Sequence, residues 1–495
     1  MSFSYSISNV WDVDQRWNGL SELGKNHCVP AAWVNWMYYF AMNGRLTALP
    51  FVNGQANHIR KNIDAMGDYM DTDGDSGTSA SNTIDGLSDW GDDRNLPYFI
   101  MTARATDNDN IRYVSLRNLL QMGAHIVVSR GKYKLDDGVF ERYRGHALTV
   151  VGLTRTDDNI ITISVHNPWN DSSLTTQAST NVQHQVLTQK KRNIEGDTVT
   201  ILRWGPESVN PPYLCIDAWT AILPMFAVSN VAANAITLHS ADIATGKVSE
   251  RKFPLPFNDT ISELTLDPSA PFASVIAQAS GELWTLSLAD GTWVKTPGIT
   301  GAQRLVYGGR RQRLFVVKDR AITAIDDEGK LGASRDAEVA FDALSYDPSG
   351  NRLVGVAGGK LVLIDPADLK VLATVDAPEI PGSGRLSLSV NRRDQSIVLS
   401  RQGSPEVVTA RWQTKGVVTS RRFRLQTEGA SSGAHVNQNG RLFVAENGRF
   451  ATFDRDGARV KGSVFDGLAV GALLKVARSN NPLDPERSKR LGWRN

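Results

Sequence analysis

Ser345-Tyr346-Asp347-Pro348-Ser349-Gly350-Asn351-Arg352-Leu353, continued through Val356 and Gly358-Gly359 to Leu361-Val362-Leu363-Ile364-Asp365, is the stretch from which the larger part of the fold is read. A short apolar run meets a turn built of Pro, Ser, Gly and Asn. A second run meets a Gly-Gly turn, and a third run ends on Asp. Short β-prone runs separated by residues that tolerate left-handed backbone read as successive antiparallel strands. Units of similar rhythm surround Leu264-Asp267-Pro268, Gly308-Gly309-Arg310, Asn391-Arg392-Arg393-Asp394 and Asn437 to Arg441, and a first unit lies near Ala227 to Gly246. Several close on a strand and a polar turn, at 286–291, 325–329 and 453–457.

The units recur at roughly 40 residues, the period of propeller blades. They predict an all-β propeller of six or seven blades over 223–478, whose radial sheets leave few exposed edges. In general shape this region resembles the quinoprotein and WD40-like propellers, without a Trp-Asp signature. A pair of β-sandwiches is the alternative.

At 495 residues the chain exceeds one ordinary domain, and its pattern changes near residue 222. Earlier segments mix helices with strands. A helix is expected over 29–42, with Pro30 in the first turn, where no N–H is wanted. Ala32, Trp33, Trp36, Met37 and Phe40 draw one apolar face, and Asn43-Gly44 supplies the stop. Further helices are expected over 81–90 and 114–122, then strands over 125–129, 146–153 and 160–165. Helices followed by an antiparallel sheet predict an α+β domain over 1–222.

Three pieces of that domain fit one chemistry. Cys28 stands at the mouth of the first helix, where free N–H groups and the helix dipole favour a thiolate. Gly145-His146-Ala147 opens a strand and supplies an imidazole able to pair with that thiolate and protonate a leaving amine. Asn167-Pro168-Trp169 ends the next strand. The Asn167 amide oxygen can accept the second imidazole N–H, and Trp169 can screen that bond. Cys28, His146 and Asn167 are therefore the candidate catalytic residues.

Together these motifs resemble the papain-like cysteine peptidase superfamily, over about residues 10–220. The Asn-Pro-Trp turn is similar to that of calpains. Cys28-Val29-Pro30-Ala31-Ala32, and Gly77-Thr78-Ser79 leading to Asp85-Gly86-Leu87, are closer to the bacterial C39-like peptidases. The resemblance implies hydrolysis of a peptide or isopeptide bond in a peptide or protein substrate. It also implies a glutamine near the cysteine to complete the oxyanion hole. Glu22 stands at the usual place, so Gln15 is the candidate, with Asn18 and Asn26 as rivals. Val29 replaces a common glycine. These departures keep two alternatives open: an inactive papain-like fold serving as a protein-binding module, and a thiol enzyme that transfers the acyl group or deamidates. The propeller is expected to bind substrate or a protein partner.

No cofactor and no metal site is expected. Asp71-Thr72-Asp73-Gly74-Asp75-Ser76-Gly77 departs from a calcium loop, with Ser76 in place of glycine and Asn82 in place of the bidentate glutamate, and reads as a polar turn. His58, His125 and His184 lack ligand spacing, and His27 reads as a solvent-facing loop residue. With 54 basic and 52 acidic residues, nothing in the charge points to nucleic acid. The basic clusters at 310–313, 421–424 and the tail 479–495 read as solvated surface. Two cysteines, Cys28 and Cys215, make no disulfide framework. No secretory signal and no membrane span is read, so cytoplasmic residence, or export without a cleaved signal, is expected.

Overall fold

The computed structural model describes residues 2–476 except 53–55, 108, 170–181, 206–211, 268–271, 309–312, 327–328, 338, 349, 383, 392–394, 413–417, 425–430, 437–440, 455, 461–462 and 472. The basic tail at 479–495, the residues 310–312 of one basic cluster, and the turn residues 392–394 and 437–440 lie outside the described residues. The chain forms two compact units, Met1–Pro224 with Asp242–Gly246, and Met225–Ala241 with Lys247–Asn495.

The first unit contains β1 (Phe3–Ser6), α1 (Cys28–Met42), α2 (Ala56–Tyr69), α3 (Ala80–Asp93), β2 (Tyr98–Arg104), α4 (Tyr113–Gln121), β3 (His125–Asp136), β4 (Val139–Arg155), β5 (Ile161–His166), β6 (Gln183–Ile194), β7 (Asp197–Trp204) and β8 (Tyr213–Pro224). The sheet runs β1-β4-β3-β8-β7-β6-β5, with β2 on β8, and pairing returns from β5 to β4. Six strands thereby close upon themselves, which leaves fewer free edges.

α1 is buried on nearly every side, from Pro30 through Tyr38 and again at Phe40 and Ala41. The single apolar face expected for it is corrected: a helix apolar all round belongs in the centre of a core. α2 and α3 pack beside it. Gly86 of α3 passes so close to α2 that a Cβ there would lie 2.6 Å from the Tyr69 carbonyl oxygen. Ser79 caps α3, its Oγ accepting the Asn82 N–H at 3.1 Å. The expectation that a strand opens at Gly145 is also corrected. β3 and β4 form one long hairpin, turning at Asp137 (φ +43°) and Gly138 (φ +79°) between the paired residues Asp136 and Val139. Two consecutive positive φ values make the turn whose twist suits a two-residue hairpin.

Among the described residues, the second unit is six antiparallel sheets. The first combines Phe226–Ser229, Ala235–Ala241 and Val248–Pro254 with the late strand Lys475–Val476. Four more sheets of four strands span 261–295, 304–336, 343–376 and 386–424, and a three-stranded sheet spans 431–453. The first strands of successive sheets are neighbours, and Lys475–Val476 sits beside both Ile261–Leu266 and Ser431–Val436, which completes a ring. This is a propeller-like arrangement of six blades, closed by a strand from the far end of the chain. Apolar clusters fill the space between adjacent blades, as where Phe315 and Val317 meet Tyr346 and Leu353. The Gly358-Gly359 turn, with φ of +52° and +76°, joins the paired residues Ala357 and Lys360.

Candidate active site

Cys28 is the first residue of α1. The first N–H groups of a helix have no partner within it, and those of Cys28 and Val29, with that of Ala147 on β4, are directed at the sulphur. Asn35, two turns further into the same buried helix, fixes α1 against β4. Its Oδ1 accepts the Val13 N–H at 2.9 Å, its Nδ2 donates to Thr149 Oγ1 at 3.0 Å, and that hydroxyl donates to the Ala32 carbonyl at 2.9 Å. α1, β4 and the segment before α1 are joined at one buried polar knot.

His146 lies on β4, and Asn167 directly follows β5. The two strands pair antiparallel, with Thr149 opposite His166. His146 Nε2 lies 2.7 Å from Asn167 Oδ1. The same oxygen accepts the Trp169 N–H at 3.1 Å, and Asn167 Nδ2 donates to Gln183 Oε1 at 3.4 Å. An amide oxygen only accepts, so Nε2 carries the imidazole hydrogen and Nδ1 holds the lone pair. Trp169 meets the His146 ring edge to face at 6.3 Å, is 47 % exposed, and carries the Arg16 guanidinium over its ring at 5.1 Å. Gly145 leaves room for Arg142, since a Cβ there would lie 1.9 Å from its guanidinium. Arg142 is held by Asp217 at 2.5 Å, and Tyr133 donates to the same carboxylate oxygen at 3.0 Å.

Burial sets the protonation states. It pushes the Cys28 thiol above its ordinary value, against the backbone N–H groups and the Arg142 charge that favour the anion. It pulls His146 down to about 4, opposed by the Asn167 bond and reinforced by the positive charges of Arg130 and Lys132. The thiolate expected from the helix mouth is therefore corrected: loss of solvent outweighs the helix end, and burial favours the neutral forms of the Cys28 thiol and of the His146 imidazole.

Gln15 lies next to the turn that carries Asn167, its N–H donating to the Pro168 carbonyl at 3.0 Å. Its side chain is buried, and Nε2 donates to the carbonyls of Gly24 and Lys25 at 2.9 and 2.8 Å. Both amide hydrogens are thereby used, while Oε1 is buried without a partner. They brace a contorted loop in which Glu22, Leu23 and Gly24 have φ of +47°, +52° and +75°. A Cβ at Gly24 would lie 1.9 Å from the Gln15 carbonyl oxygen. Of the rivals, Asn26 donates to the carbonyls of Gly74 and Asp75 at 2.6 and 2.7 Å.

His27 is buried rather than solvent-facing. Burial lowers its pKa, while Asp64 and Asp68 work in the opposite direction. His166 is buried 3.6 Å from Asp12, on its own partner. Asp73 Oδ1 accepts the N–H groups of Asp75 and Ser76 at 2.6 and 2.9 Å, the geometry of a polar turn. Among the described residues no group of three His, Cys, Asp or Glu could hold a metal ion, and no helix is long and apolar enough to cross a membrane. Cys28 and Cys215 are both free thiols, and Cys215 is buried in β8 with its pKa well above the ordinary range.

No family model and no curated protein matches the chain. Among solved structures it is similar to a β-propeller domain of Cps50 (Swd1) from Myceliophteria thermophila, at 14% identity, covering 48% of this chain and 85% of that one with a TM-score of 0.34. It is also similar to hydrazine synthase of Kuenenia stuttgartiensis, at 15% identity, 47% and 74% coverage and a TM-score of 0.37. A gluconolactonase from Xanthomonas campestris matches at 14% identity, 50% and 86% coverage and a TM-score of 0.35. Likenesses this slight carry no function across. The assignment of blades rests on the strand order and ring closure described above.

Proposed function

We propose that the first unit is a papain-like cysteine peptidase acting on peptide or isopeptide bonds, and that the propeller-like unit binds substrate or a protein partner. The observation that carries this reading is the 2.7 Å bond from His146 to Asn167, taken with a helix-end thiol that receives the N–H of Ala147, the residue following His146. Asn167 holds Nε2, so Nδ1 is the base. It takes the Cys28 proton as sulphur attacks the carbonyl carbon. The C–N bond then breaks, and the same proton passes to the departing nitrogen. Water, deprotonated by Nδ1, releases the acyl group from sulphur. The backbone N–H groups of Cys28 and Val29 serve the sulphur in the resting state and turn to the oxyanion once sulphur has attacked the carbonyl. Gln15 joins them only when its amide leaves Gly24 or Lys25. Transfer of the acyl group to an amine, or deamidation of glutamine, uses the same three residues.

Two observations favour a different reading, in which this unit is an inactive binding module. The Gln15 amide is engaged by two carbonyls, and the Cys28 thiol is disfavoured as an anion. Labelling separates the two. An epoxide probe is expected to modify Cys28 much faster than Cys215 in the native protein, and the preference is expected to disappear in His146→Ala. Equal labelling of the two cysteines refutes the peptidase.

A further inference from the structure

His146 does not stand alone on its stretch of sheet. In the β3–β4 register Arg130 lies directly opposite it, and Lys132 lies opposite Arg144. Directly opposed residues share a face, as do residues two apart on one strand. Arg130, Lys132, Arg144 and His146 therefore share one face of the hairpin. Arg130 and Lys132 are near enough for their charges to act on the imidazole.

The charges of Arg130 and Lys132 have no answering carboxylate among the described residues. Arg130 is half-buried over the Trp204 ring at 5.5 Å, and its Nε is buried without a hydrogen-bond partner. The nearby Arg142 differs, because Asp217 neutralises it. A half-buried guanidinium without a counter-ion is costly, and a planar carboxylate is the group that satisfies its fork of donors. The imidazole delivers its proton to the departing nitrogen, so groups flanking the imidazole lie toward the departing part of the substrate.

We propose that Arg130 and Lys132, with Arg144 beside them, form an anion subsite that binds a substrate carboxylate on the leaving-group side of the scissile bond. The carboxylate comes from an acidic side chain or from the substrate's own C-terminus. This rests on the peptidase reading for its place in a reaction, though the subsite itself is measurable without cleavage.

Iodoacetate and iodoacetamide deliver the same carbon to the same sulphur and differ in charge. Their rate ratio at Cys28, read by mass spectrometry on the intact protein, cancels the thiolate fraction and reports the local field. Arg130 and Lys132 act on the imidazole and Arg142 on the thiol, so the ratio is expected to rise several-fold over that of glutathione, and the part lost on removing Arg130 or Lys132 is theirs. Added salt should lower it, as should Arg130→Gln or Lys132→Gln. Should one variant fail to fold, the other variant and the salt dependence of the wild type still decide the matter. A wild-type ratio equal to that of glutathione, or no labelling of Cys28 by iodoacetate, overturns the subsite. Paired peptides then identify the source. Glu in place of Gln after the scissile bond is expected to raise kcat/KM if a side chain is bound. A free C-terminus in place of its amide is expected to raise it if the terminus is bound. Cleavage of neutral peptides with an unraised ratio refutes the subsite and leaves the peptidase. A raised ratio with no peptide cut refutes the peptidase and leaves the subsite.

Discussion

Replacing Asn35 by Leu should loosen the joint that holds the thiol's helix against the imidazole's strand. Asn35 is fully buried and makes two hydrogen bonds, one accepted from the Val13 N–H and one donated to Thr149 Oγ1. Leucine fills a similar volume but strands the Val13 N–H. A buried donor without an acceptor costs about 1–3 kcal/mol, and the lost bond to Thr149 about 1 kcal/mol more. The expected loss is about 3 kcal/mol. Thr149→Val should cost about 1–2 kcal/mol, because it leaves the Asn35 Nδ2 without its acceptor and takes one donor from the Ala32 carbonyl. Cys215 is a convenient reporter, being buried in β8 of the same unit, so its labelling in a urea series follows unfolding of the first unit in the intact chain. With an m value of about 3 kcal/mol/M, the Asn35→Leu midpoint should fall by roughly 1 M. The double variant should lose less than the two single losses added together, since they share one bond. A midpoint within about 0.2 M of the wild type, or full additivity, would show that this knot does not join α1 to β4.

Acid should weaken the first unit through its buried histidines. The His125 ring packs against Trp36 and Phe40, each at 4.7 Å, and burial lowers its pKa from 6.5 to about 3. A depressed folded pKa means that the unfolded chain binds the proton first. Stability is therefore intact above pH 6.5 and falls as the pH drops toward 3, and His125→Phe should flatten that slope in the same labelling assay. An unchanged slope would show that His125 titrates normally. In the second unit, a chain stopped after Val470 lacks Lys475–Val476, the strand that closes the ring. Its propeller-like unit should melt at a lower temperature and be cut readily by proteases, and melting like the full chain would refute ring closure.

The blades were legible because each is local. Turn residues such as Gly358-Gly359 recur between short apolar runs, and successive strands of a sheet pair with their neighbours in sequence. The closing strand was not legible, because two residues, Lys475 and Val476, show no periodicity and their pairing with Ala227 and Val228 spans the whole unit. In the first unit, the residue types and order of Cys28, His146 and Asn167 marked the candidate site. The Asp137-Gly138 dipeptide was a hairpin signal that could have extended β3 and β4. α2 went unforeseen although Ile59, Ile63, Met66 and Met70 are buried at spacings of three and four, because polar residues such as Asn57, Arg60 and Lys61 dominate its start. The state of the thiol was not readable from sequence at all. Burial decides it, and burial depends on tertiary packing. The same holds for Gln15, whose residue type suits an oxyanion but whose hydrogens face the carbonyls of Gly24 and Lys25.

The central claim is that the Cys28 thiol, served by His146, cleaves peptide bonds. Incubating a peptide library with the full chain and reading the products by mass spectrometry tests it most directly, with Cys28→Ala in parallel. Cleavage by the wild type that vanishes in Cys28→Ala is the predicted result. A library left intact by the wild type, or cut equally by Cys28→Ala, would contradict it.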